Sequence, residues 1–172
     1  MATLHPVMIV RLLLLFLLGG SACHVSAQVP PQVQPLWDEL TTTWSSGDLP
    51  AALDVTDRLV TALDPVATDF SLGIQMNSAL HNRASLRYNL QDYRGAESDL
   101  VASVEQARSI EPPPGLPEAS IPQMMAMVDD RVRLSLRGLT NFYVAAGDLE
   151  KATKAFQEAQ EIQPLWKQQS QN

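Results

Sequence analysis

The chain has 172 residues, a formal net charge of −7, one cysteine and 45% hydrophobic residues. That length fits one domain, and a lone cysteine excludes an internal disulfide framework. The acidic balance repels phosphate backbones and anionic lipid surfaces alike, so nucleic acid is not an expected partner.

The first 27 residues form a unit of their own. Residues 1–10 are short and apolar, Arg11 supplies a single positive charge, and residues 12–18 are an unbroken run of Leu and Phe. Gly19-Gly20-Ser21 break that run, and Val25-Ser26-Ala27 place small residues ahead of Gln28. This order predicts a secretory signal, residues 1–27, cleaved after Ala27. A membrane anchor is the competing reading, but the apolar stretch holds about a dozen residues against the ~20 that a spanning helix needs. Ser21-Ala22-Cys23 resembles the end of a bacterial lipoprotein signal, in which the cysteine is lipidated. Gly20 stands where that pattern has a branched aliphatic residue, so Cys23 reads as part of the signal. The remaining chain has no cysteine and a net charge of −8. Its expected location is the periplasm or an equivalent luminal or extracellular compartment, without membrane contact after cleavage.

Residues 28–34 read as a Pro/Gln linker. Beyond them, Gly47-Asp48-Leu49-Pro50-Ala51-Ala52 and Gly147-Asp148-Leu149-Glu150-Lys151-Ala152 share a Gly-Asp-Leu turn with an alanine four residues after the aspartate. Gln91-Asp92-Tyr93-Arg94-Gly95-Ala96 has the same form, with glutamine for the first glycine. Each is a helix stop followed at once by a helix start. Glycine accepts the left-handed conformation that ends a helix, and aspartate caps the amides of the next. Apolar residues follow at helical steps: Leu49, Thr56 and Leu63; Tyr93, Ala96, Leu100, Val104 and Ala107; Leu149, Ala152, Phe156, Ala159 and Ile162. Pro112-Pro113-Pro114-Gly115-Leu116-Pro117 and Pro122 predict a loop over 111–122. A stripe of Met125, Val128, Val132, Leu136, Leu139, Tyr143 and Ala146 then predicts a long helix over 124–146. The end, 168–172, reads as a polar tail.

Ala84, Ala96, Ala152, Phe156, Ala159 and Pro164, around these turns, resemble the tetratricopeptide repeat, in which two antiparallel helices form a hairpin. Residues 136–164 match most fully, 80–112 match well, and 36–65 are degenerate, with Leu40 and Thr56 at positions where a small residue and an aromatic are usual. The resemblance implies an all-α fold over 35–167, a short superhelix of about three hairpins, the fewest that bury a continuous core. It implies close helix contacts at the alanines, with Tyr93, Tyr143 and Phe156 filling the space between successive hairpins.

Nothing in the sequence assembles a reaction centre. His81 is the one histidine after the signal, and neither zinc spacing, nor a phosphate-cradling loop, nor a nucleophile elbow is present. No cofactor and no enzymatic activity are expected. Asp129-Asp130 reads as a solvated face, and Met124, Met125 and Met127 as mostly core. The resemblance implies instead a groove lined by the first helix of each hairpin. Its candidates are Trp37, Thr41 and Trp44, then His81, Ser85, Tyr88 and Asn89, then Arg137 and Asn141. Arg137 and Asn141 also have the one-turn spacing with which some tetratricopeptide domains hold a terminal carboxylate. The expected function is an exported adaptor that binds a protein or peptide partner. A self-associating structural protein, or an auxiliary subunit of an envelope enzyme or assembly complex, is the alternative.

Overall fold

A computed structural model describes residues 31–67 and 69–162; the predicted signal and polar tail lie outside the described residues. Six α-helices follow one another: α1 (Val33–Ser46), α2 (Leu49–Leu63), α3 (Phe70–Asn89), α4 (Tyr93–Arg108), α5 (Ile121–Ala146) and α6 (Leu149–Glu161). Short 3-10 turns occupy Asp64–Val66 and Glu118–Ser120, and no strand occurs among the described residues.

The three turns read from sequence share one geometry. Asp48, Asp92 and Asp148 each accept a hydrogen bond from the amide three residues on, Ala51, Gly95 and Lys151, at 3.0, 3.0 and 3.1 Å. Gly47, Gln91 and Gly147 sit at φ 81°, 66° and 78°. At the second and third turns the pairing is that of a Schellman motif: Asp92 N–H donates to Arg87 O and Gln91 N–H to Tyr88 O, with Asp148 and Gly147 doing the same to Tyr143 and Val144. Three tight helical hairpins result: α1–α2, α3–α4 and α5–α6.

Each helix packs against its neighbours in the chain, and α3 also meets α5. The alanines sit at these contacts: Ala84, Ala96, Ala152 and Ala159 are all buried. Two apolar clusters result. One joins α1 and α2 to Leu72, Met76, Ala79, Leu80 and Leu86 of α3. The other joins Phe70 and Ala84 of α3 to α4, α5 and α6. Helix α3 therefore has two buried flanks, which explains why its sequence lacks a single apolar stripe.

Several expectations need correction. Helix α1 starts at Val33, which is fully buried, so the linker expected over 28–34 gives way there. The expected 111–122 loop ends at Ser120, because Ile121-Pro122 open α5. Proline is tolerated in a first turn, where its missing N–H has no helical partner to lose. Tyr143 is buried, but Tyr93 and Phe156 are half exposed rather than filling space between hairpins. Phe156 lies on the last described helix, with no following hairpin to cover it. Asp130 is not merely solvated: it pairs with Arg133 at 2.6 Å.

Candidate binding face

The first helices of the three hairpins, α1, α3 and α5, carry every groove candidate. Their side chains meet across hairpin boundaries at three places. Trp37 of α1 donates from Nε1 to Gln75 Oε1 of α3 at 3.0 Å. His81 of α3 packs on Gly138 of α5, where an added Cβ would stand 2.7 Å from His81 Cε1. The Tyr88 ring meets Phe142 of α5 edge-on at 6.1 Å and Tyr93 at 5.3 Å. Glycine is what lets α5 come this close to α3, since Leu100 Cδ2 lies within 3.0 Å of the same point.

The candidates divide by exposure. Thr41, Asn89, Arg137 and Asn141 are exposed, and Tyr88 is exposed by 40%. Thr41 and Asn89 bond back to their own helices, at Trp37 O and Ser85 O. Trp37 and Trp44 are partly buried against the first apolar cluster, so they help to cover α1 and α2. Ser85 is half buried. His81, expected in the open groove, is instead wedged into the α3–α5 seam, its Nδ1 enclosed without a hydrogen-bond partner. Burial, aided by the nearby Arg131 charge, pushes its pKa below the ordinary histidine value, so the ring is neutral. Along α3, Ser71, Gln75, Ser78, Asn82, Ser85 and Asn89 recur at steps of three or four, and all remain half buried or exposed. They form a polar stripe of small and amide side chains.

Polar structure that the sequence did not announce ties the helices together. Asp99 of α4, only 3% exposed, accepts from Arg83 through Nε at 3.0 Å and Nη2 at 2.7 Å, and from Arg87 Nη1 at 2.9 Å. Arg83 also reaches Asp57 of α2 at 3.1 Å. Burial alone would lower the Arg83 pKa, but the bonds to Asp99 and Asp57 outweigh it and raise it. Asn77 of α3, also buried, donates to Ser103 O of α4 at 2.7 Å and to Ser135 Oγ of α5 at 2.9 Å. Tyr143 and Lys151 both donate to Glu97 at 3.0 Å, joining α5 and α6 to α4. Arg108 of α4 pairs with Glu158 of α6.

Arg131 was missed from sequence. It stands at the seam, and its Nη1 reaches Ser78 Oγ at 3.4 Å. Gly138 was the available signal: a glycine inside a helix is costly and marks a close approach, here of α3. Among the described residues no trio of His, Cys, Asp or Glu is placed to hold a metal, and no helix is long and apolar enough to cross a membrane. No family model, curated protein or solved structure matches the chain.

Proposed function

We propose that the chain is an exported, non-enzymatic interaction module of tetratricopeptide type, whose α1–α3–α5 face binds a protein or peptide partner. The observation that carries this is the meeting of α1, α3 and α5 side chains across hairpin boundaries beside a polar stripe running the length of α3. A face of amides, hydroxyls, one aromatic ring and an arginine can satisfy the backbone of an extended peptide while anchoring its side chains. The test is capture of a partner from the native compartment by the purified protein. Arg137→Ala should weaken capture and leave the melting temperature unchanged; unaltered capture would move the partner to another face. Export predicts an intact mass beginning at Gln28, whereas lipid on Cys23 would make the protein membrane-anchored.

Phe156 favours a second reading, self-association through the α6 end. Counted from the turn aspartates, it is the counterpart of Leu100 in α4, which lies beneath α5 and is 6% exposed, while Phe156 is 51% exposed. Light scattering separates the two readings, a dimer sensitive to Phe156→Ser supporting the second.

A further inference from the structure

We propose that Arg131, Ser78 and His81 form a seat for a carboxylate of the bound partner, a proposal that rests on reading this face as a binding surface. Arg131 is half buried in the seam between α3 and α5, and its only hydrogen bond among the described residues is the long contact with Ser78 Oγ at 3.4 Å. Desolvation pulls the arginine pKa down, against a smaller opposing effect of Asp130. The Asp130 carboxylate is already held by Arg133 at 2.6 Å. Helix α3, across the seam, contains no acidic residue at all. Its own arginines show what the alternative looks like, since Arg83 and Arg87 share the carboxylates of Asp57 and Asp99. In a chain with nineteen acidic side chains, this one guanidinium is taken partly out of water with no carboxylate bonded to it. A desolvated charge left unpaired is costly, and an anion from outside relieves it.

The neighbours suit a carboxylate. The neutral His81 ring holds its proton on one nitrogen, and placing it on Nε2 leaves only a lone pair enclosed at Nδ1. Nε2–H, the Ser78 hydroxyl and the Arg131 fork are then three donors from two helices, with one positive charge among them. One negative charge matches that set. A phosphate dianion exceeds it, on a protein whose surface is acidic throughout.

The test is an NMR titration of the full chain, following arginine Nε–H and histidine ring signals. Sodium acetate should shift the Arg131 and His81 signals saturably, and sodium chloride at matched ionic strength should not. Arg131→Gln should weaken acetate binding at least ten-fold while the melting temperature holds or rises, because the removed charge is unpaired. Arg137→Gln should leave acetate binding unchanged. Two peptides identify the source of the carboxylate: one with a free C-terminus and no acidic side chain, the other amidated and carrying one glutamate. A response to acetate no different from chloride overturns the seat, and so does tighter binding of inorganic phosphate. Partner capture that survives while acetate fails to bind refutes the seat and spares the binding face. Saturable acetate with no partner captured on this face does the reverse.

Discussion

Gln91 occupies a left-handed conformation that Gly47 and Gly147 supply at the other two turns without a Cβ penalty. A non-glycine residue there costs about 1–2 kcal/mol, partly offset by glycine's larger entropy when unfolded. Gln91→Gly should therefore stabilise the protein by about 1 kcal/mol in denaturant unfolding, the Schellman bonds remaining in place. Asp99 presents the opposite case. It holds two arginines at once in near-complete burial, where α2 and α6 carry Val55 and Ala155 at the corresponding positions. Asp99→Ala removes the shared partner and leaves two cations half buried, which should cost about 3 kcal/mol. A loss under 1 kcal/mol would mean that Arg83 and Arg87 swing out to water and that the cluster contributes little.

At the scale of the helix pair, the sequence was most legible where chemistry is local. A glycine stop and an aspartate cap act within four residues, so the three turns could be placed before any packing was known. The contact alanines were legible too, because small residues at fixed distance from a turn can serve only close approach. The Asp99 cluster was not legible, since its partners lie on three helices and meet only after those helices have packed. The Arg131 seam was hidden for the same reason, its rotation toward α3 being set by tertiary contacts. Ala152 is buried between α5 and α6, so Ala152→Leu should cost about 1–3 kcal/mol by overpacking. Tyr88, read from sequence as a surface residue, touches two aromatic rings, and Tyr88→Ala should cost about 1 kcal/mol rather than nothing. Equal stability of wild type and Tyr88→Ala would return that ring to a purely binding role.

For the molecule as a whole, pH acts through two opposed effects. Lowering pH from 7 toward the isoelectric point near 4.8 removes net negative charge and relaxes self-repulsion, which favours the folded state. His81 works against this. Its pKa is lowered on folding from an ordinary value of 6.5, by burial first and by the Arg131 charge second. The unfolded chain therefore binds a proton in a window that opens near pH 6.5, where the folded chain does not, and stability falls as pH falls through it. Below the folded pKa the loss is complete; above 6.5 it vanishes. Glu97, whose pKa is lowered chiefly by its bond to Lys151, loses its contribution only further down, as pH drops below 4.5. Between pH 7.5 and 5.5 the two carboxylate-linked effects are common to wild type and His81→Gln, so their difference isolates the imidazole. Chemical unfolding of both proteins across that range should show wild type losing stability relative to the variant as pH falls. Parallel curves would mean that the ring reaches solvent and that α3 and α5 part at the seam more readily than their packing at Gly138 implies.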